Sequence, residues 1–223
     1  MSRRTDELLL WSSLGGGVAL AGWMLRKPVT GEEQPNDDVA GGPLNKALGT
    51  VFGKPLAQAI VSGGWGDRRP KHVGGFHYAI DLPAALGTPI QAVASGTVVW
   101  VDEAGKSTAG RYVVLKHGGV RTRYLHMSLV AVAVGQEVVR GEVIGLVGST
   151  GFSSGPHLHL DVFVSDRVLA KYREQFGEPT PTFPRKRDWG TQVPAEALIP
   201  VDRYSKRVAF AAAHRGVQLL GTG

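Results

Sequence analysis

Between residues 48 and 165 no segment keeps a helical repeat of apolar residues for long. Short apolar runs follow one another instead, "TPIQAVASGTVVWVDE", "GRYVVLKHG", "TRYLHMS" and "VGQEVVRGEVIGLVGSTG", with glycine between them. Runs of roughly 4–8 residues bounded by Gly-rich turns form strands, whereas a helix needs a 3.6-residue period over a longer window. The chain has 31 glycines and a hydrophobic fraction of 43%, enough for many turns and a real core. The expected fold is mainly β: an antiparallel β-sheet domain of barrel-sandwich hybrid type, with "SGTVV" and "RGEVIGLVG" as its two hairpin arms.

The flanks have a different texture. Leu8 to Leu25 is a stretch of 18 residues without a charge, bounded by Arg3, Arg4, Asp6 and Glu7 before it and Arg26 and Lys27 after it. Its length is at the lower edge for a membrane-spanning helix. Ser13, Gly17 and Ala21 make a small-residue stripe suited to close helix packing in lipid. Residues 1–27 therefore read as an N-terminal hydrophobic helix, either a transmembrane anchor or a signal segment. The two acids among the leading arginines lean towards the anchor, and "ALA" (Ala19–Ala21) suits signal cleavage. Residues 28–47 are Pro-, Gly- and acid-rich and read as a linker. Residues 48–165 form the β domain, and 166–223 a C-terminal extension with short helices, "SDRVLAKYREQFG" and a second from about Asp202.

The formal charge is +6, which favours polyanionic surroundings. The basic residues are spread without an aromatic-interleaved stripe, so nucleic acid is not the expected partner. A biotinyl- or lipoyl-type carrier needs a lysine at a hairpin tip, and "VGSTGFSSG" has none. The chain has no cysteine, which excludes disulfides, thiolate metal sites and a Cys nucleophile. Any metal here uses His, Asp or Glu.

Seven histidines are available. His157 and His159 are two apart in "GPHLHLDV", so a strand puts both on one face. That is half of a metal site or a polar strand face. His77 and Asp81 are four apart in "HYAID", and the neighbouring Gly74, Gly75 and Pro83 argue for an extended segment. They are two ligands on one face or a surface pair. Taken together, His77, Asp81 and His159 make three ligands, the number of a catalytic zinc site that keeps one open position. His157 and His126 are then left as acid–base or electrostatic partners.

The ordered set "SGGWGDRRP", "HYAID", "YLHM" and "GPHLHLDV" resembles the lysostaphin/LytM-type zinc metalloendopeptidases, which cut peptide bonds in bacterial peptidoglycan. The resemblance covers about residues 56–165 and, in outline, the "IPVDRY" tail. It implies Zn²⁺ held by His77, Asp81 and His159, with His126 and His157 as the paired catalytic histidines. Arg68, Tyr124 and Ser153 are expected to contact substrate. Peptidoglycan is the implied partner, together with the membrane through the N-terminal segment. The implied location is the cell envelope, with the catalytic domain extracytoplasmic, or a virion that opens the wall. The alternative within the same fold is a catalytically silent peptidoglycan-binding or regulatory module. Departures from the family pattern are Ala79 where Gly is usual, Leu125 where a small residue is usual, and Asp161 where Glu is frequent. Of the other histidines, His117 reads as structural at a strand end and His214 as exposed in the tail. His72 lies in the basic "RRPKH" turn near the groove, beside Arg68, Arg69 and Lys71. Arg185, Lys186 and Arg187 form a further basic run in a Pro-rich loop.

Overall fold

The structure is a computed structural model that describes residue 44 and residues 48–181 and 189–201. Chain contacts divide the protein into Met1–Glu32 and Glu33–Gly223, and every described residue belongs to the second unit. The expected N-terminal segment, most of the linker, the Arg185–Arg187 run, His214 and the helix from Asp202 lie outside the described residues.

In chain order the strands are β1 (Ile80–Pro83), β2 (Pro89–Gln91), β3 (Gly96–Asp102), β4 (Arg111–His117), β5 (Val120–Met127), β6 (Leu129–Val130), β7 (Glu137–Val138), β8 (Val143–Leu146), β9 (His157–Val164) and β10 (Thr191–Val193). One helix, α1 (Asp166–Phe176), follows β9. A seven-stranded sheet runs β1-β9-β5-β4-β3-β7 with β10 also paired to β9, and a three-stranded sheet runs β2-β8-β6. All the pairings are antiparallel. This is the mainly β antiparallel architecture expected, with one difference: the two supposed hairpin arms do not pair. β3 belongs to the large sheet and β8 to the small one. The chain crosses between the sheets at the Arg140–Gly141 turn, where Gly141 has φ 85°, a left-handed conformation that glycine adopts without steric cost.

The core lies on one face of the large sheet. Along β9, Leu158, Leu160, Val162 and Val164 are fully buried, and Ile80 and Leu82 of β1 and Val113 and Leu115 of β4 join them. Burying such a side chain contributes about 1.5–3 kcal/mol. The alternating partners point to the other face, and the site is built there.

The short helix expected at "SDRVLAKYREQFG" is present. It starts after Ser165, carries Asp166 in its first turn, and stops at Gly177, whose N–H donates to the Arg173 carbonyl. An acid at the helix N-terminus and a positive-φ glycine at the C-terminus both favour these boundaries. Val168, Leu169 and Tyr172 bury its apolar side. Beyond it, β10 pairs with the second half of β9, at 162–164, while β1 pairs with the first half, at 157–160. Ala195, Leu198 and Ile199 enter the same core. The described part of the C-terminal extension is thus built into the large sheet.

Candidate functional site

The site forms where β1, β9 and β5 meet. In the register, Asp81 lies directly opposite His159, and His159 directly opposite Leu125. Cross-strand partners share a face, so two of the expected ligands are brought together by strand pairing alone. His77 precedes β1 on an irregular extended segment, tied by its N–H to the Asp67 carbonyl and by its C=O to the Gly66 N–H. From there its Nε2 comes within 3.1 Å of Asp81 Oδ1 and 3.2 Å of His159 Nδ1. His159 Nδ1 is 3.0 Å from the same carboxylate oxygen. The ligand atoms of these residues all lie within 4.8 Å of one another. Three neutral or anionic donors facing one point match the ligand chemistry of a His/Asp metal centre.

His126 and His157 stand at the same point. Their ring centroids are 4.9 Å apart, and His126 is 5.7 Å from His159. His157 Nε2 is 3.6 Å from Asp81 Oδ1. His126, His157 and His159 form a second cluster with ring nitrogens within 4.8 Å. His126 reaches this face by an irregularity in β5. Val113 pairs with Tyr124, but Arg111 pairs with Met127, so β5 holds one extra residue there. His126 has φ 62°, and among the described residues it is the non-glycine with positive φ. Such a bulge re-aims a side chain. Here Leu125 and His126 both leave the core face and Met127 returns to it.

Three of these histidines have one nitrogen committed to a backbone carbonyl. His77 Nδ1 is 3.0 Å from Gly64 O, His126 Nδ1 2.8 Å from Thr150 O, and His157 Nδ1 2.7 Å from Gly155 O. A carbonyl only accepts, so in each neutral ring the proton sits on Nδ1 and Nε2 presents a lone pair.

The electrostatics follow from burial around one anion. Burial raises the Asp81 pKa, but the bonds from His159 and His77 outweigh it and hold the carboxyl far below its usual range. Burial disfavours the charged form of His77, yet its bond to Asp81 and the charge of that carboxylate win and raise the pKa. His126 is lowered to about 4 by burial first and by the neighbouring His159 second. His159 is lowered by burial against the pull of Asp81. Burial thus pushes His126 and His159 towards the neutral form, while Asp81 favours the charged form of His77.

The residues expected to touch substrate separate into three cases. Arg68 is exposed and lies over the Phe76 ring, at 5.6 Å, in a cleft lined also by Ser62, Asp67 and Arg69. Ser153 sits beside the site: its hydroxyl donates to Gly155 O at 2.8 Å and is 3.3 Å from His157 Nδ1. Tyr124 is not brought to the site. It is fully buried, accepts from the Val93 N–H and bonds Thr122 Oγ1. Strand alternation explains this, because Tyr124 falls on the core face of β5. His72 stands at the rim, its ring 5.7 Å from His77 and 6.3 Å from the exposed Phe152. His117 is the structural residue expected, buried at the end of β4 between Ser95 O and Thr122 Oγ1.

Two contacts escaped sequence reasoning. Arg69 Nη2 is 3.6 Å from Asp81 Oδ2. A Cβ on Gly63 would lie 2.5 Å from Arg69 Nη2 and 2.8 Å from Asp81 Oδ2, so the glycine pair at Gly63–Gly64 was its available signal. The other is the buried pair of Asp161 with Arg123, which nothing in the spacing announced.

Comparison with known proteins agrees with this geometry. Residues 75–170 match the model of peptidase family M23. An uncharacterized metalloprotease of Haemophilus influenzae is 40% identical over 141 residues, 58% of this chain and 29% of that protein. The peptidoglycan DD-endopeptidase ShyA of Vibrio cholerae is 44% identical over 94 residues, 42% of this chain and 21% of that protein. The chain thus spans less than a third of the length of these curated relatives. Among solved structures, the catalytic domain of lysostaphin from Staphylococcus simulans is 37% identical, covering 45% of this chain and 77% of that one, with a TM-score of 0.43. With the matched segment holding His77, Asp81, His126, His157 and His159 in order, the chain belongs to peptidase family M23, the lysostaphin- and LytM-type metallopeptidases.

Proposed function

We propose that this protein is a zinc-dependent endopeptidase that hydrolyses peptide cross-links or stem peptides of bacterial peptidoglycan. The observation that carries the proposal is the convergence of His77 Nε2, Asp81 Oδ1 and His159 Nδ1 next to His126 and His157. The peptidoglycan endopeptidases among its relatives support the substrate class.

His77, Asp81 and His159 would hold the metal. Zinc, when bound, supplies a Lewis acid for the scissile carbonyl and acidifies water near neutral pH. His126 is kept neutral by burial, so its Nε2 lone pair orients the attacking water while Nδ1–H stays on Thr150 O. His157 Nε2 faces the site from the other side, 3.6 Å from the Asp81 carboxylate. It takes the proton of the water as the new C–O bond forms. It returns that proton to the departing amine nitrogen as the C–N bond breaks, leaving a carboxylic acid and an amine. Proton transfer of this kind contributes about 10²–10⁴-fold. Protonated His157 also donates towards the tetrahedral oxyanion.

Work on the wall requires an extracytoplasmic catalytic domain. The uncharged stretch from Leu8 to Leu25 supports a membrane tether or exported form. It lies outside the described residues, among which no helix is long and apolar enough to cross a membrane.

The test is incubation of the full chain with purified sacculi and separation of the released muropeptides by mass spectrometry. Chelator-sensitive cleavage restored by zinc is expected. Zinc-loaded protein that releases no fragment would overturn the proposal, and binding to sacculi without cleavage would favour the silent module.

A further inference from the structure

His159 departs from the pattern of the other site histidines. Its Nδ1 faces the site, and no backbone carbonyl bonds its Nε2 among the described residues. What faces that nitrogen is Asp161 Oδ2, at 3.9 Å. Asp161 is two residues further along β9, hence on the same face, and only 1% exposed. A ligating imidazole needs its metal-facing nitrogen free of a proton, and a carboxylate near the far nitrogen favours that tautomer.

Asp161 is itself held. Arg123, its cross-strand partner on β5, donates Nε to both carboxylate oxygens at 3.0 and 3.1 Å, and Nη2 closes the fork. Arg123 lies 5.4 Å from the ring centroids of Phe163 and Trp189. Arg121 Nη1 donates to Trp189 O at 3.2 Å. Gln192 of β10 donates Nε2 to Asp161 Oδ2 at 3.1 Å and to Tyr78 O at 3.5 Å. Its Oε1 is buried without a partner. The amide is therefore committed to two acceptors: one beside His159 on β9, the other next to His77. Trp189 and Gln192 lie beyond the residues matched to the family, 75–170.

We infer that residues 189–193 are a positioning element of the metal site. Trp189 and Gln192 clamp the Asp161–Arg123 pair, and the clamped Asp161 keeps its charge facing His159 Nε2, which favours the tautomer with Nδ1 open when the metal takes that nitrogen. The inference rests on the reading of His159 as a ligand.

The test uses the full chain with Gln192→Met, Asp161→Asn and Val193→Ala. Val193 is on the same strand with its side chain in the core, so its truncation loosens packing and leaves the clamp intact. Two quantities are read: the imidazole ¹⁵N shifts of His159 in zinc-loaded protein, and zinc affinity by competition with a chromogenic chelator. Zinc-loaded wild type should carry the His159 proton on Nε2, facing Asp161. Asp161→Asn and Gln192→Met should shift that Nε2 signal and weaken zinc binding by about 10–100-fold, the range found for partners of metal ligands. Val193→Ala should lower the melting temperature while the shifts and affinity stay at the wild-type values. Wild-type shifts and affinity in Gln192→Met, or an equal loss in Val193→Ala, would overturn the inference. If zinc leaves the His159 Nδ1 signal of wild type unmoved, the ligand assignment fails and takes the inference with it. If zinc moves that signal and Gln192→Met changes nothing, the inference alone fails.

Discussion

β9 and β5 both deliver histidines to the site, by opposite means. β9 does so by regularity: His157, His159 and Asp161 alternate with the buried Leu158, Leu160 and Val162. β5 does so by breaking its own period. Up to Tyr124 its residues alternate, then an extra residue and a positive φ at His126 turn that ring onto the outer face. The regular strand carries His159, proposed as a metal ligand, opposite the Asp81 of another regular strand. The irregular one carries a group assigned to the reacting water. Ligand geometry tolerates little error, and pairing register supplies it without backbone strain. The catalytic imidazole needs a direction that no pleat provides there, and a bulge with a left-handed residue supplies it at some cost.

The largest effects should divide along this line. His159→Ala removes a ligand, so zinc content measured by elemental analysis should be lost together with all cleavage of sacculi. His126→Ala and His157→Ala should retain zinc and lose turnover by about 10²–10⁴-fold. Equal loss of zinc in all three would erase the distinction between the strands.

That distinction also explains what was legible in the sequence. Strands bounded by glycine and the short helix over Asp166–Phe176 depend on local period and turn chemistry, which one chain displays, and the grouping of His77, Asp81 and His159 was legible through the motifs "HYAID" and "GPHLHLDV" taken together. The bulge at His126 was not: nothing in "RYLHM" announces an extra residue, and the expectation that Tyr124 contacts substrate did not anticipate that it falls on the core face. Its cause is tertiary. A Cβ on Gly148 would lie 2.5 Å from His126 O and 2.3 Å from Ser128 N, so the bulge is shaped by a segment more than 20 residues away. Gln192 was invisible for the same reason, since its partner is decided by how β10 docks on β9.

Gly148 offers the next test. It bridges to His157, whose N–H donates to Gly148 O at 3.2 Å, so it adjoins both histidines assigned to the reacting water. Gly148→Ala should destabilise by about 1–3 kcal/mol through overpacking, in a denaturant titration of the metal-free protein. Its zinc affinity should stay near wild type while kcat falls. By contrast, Leu160→Ala leaves a cavity under β9 and should cost about 2–5 kcal/mol with kcat of the folded fraction preserved. A Gly148→Ala enzyme with wild-type kcat would mean that the bulge does not aim His126.

A smaller effect separates the two strands by pH. His126 has a folded pKa lowered to about 4 by burial, against an ordinary 6.5. Between those values the unfolded chain binds a proton that the folded one refuses, so stability falls as pH drops from about 6.5 and levels off below about 4. The full span corresponds to about 3–4 kcal/mol. His126→Asn has nothing to titrate, so the metal-free variant should lose less stability than wild type between pH 7 and 4.5, measured by denaturant midpoint at each pH. Parallel curves would show that His126 is not held neutral by the fold.

The smallest effect concerns the backbone itself. If the bulge requires the left-handed region at residue 126, the ranking of substitutions there should follow tolerance for positive φ, independent of chemistry at the site. Asparagine enters that region readily, while a β-branched residue resists it. In metal-free protein at pH 8, where His126 is neutral, His126→Val should therefore be less stable than His126→Asn by about 1–2 kcal/mol. On β9 the order reverses. At position 157, an ordinary strand residue, valine suits the extended backbone better than asparagine, and His157→Val should be at least as stable as His157→Asn. A shared ranking at both positions would mean that His126 reaches the site by side-chain rotation on a regular strand, and the contrast between β5 and β9 would be lost.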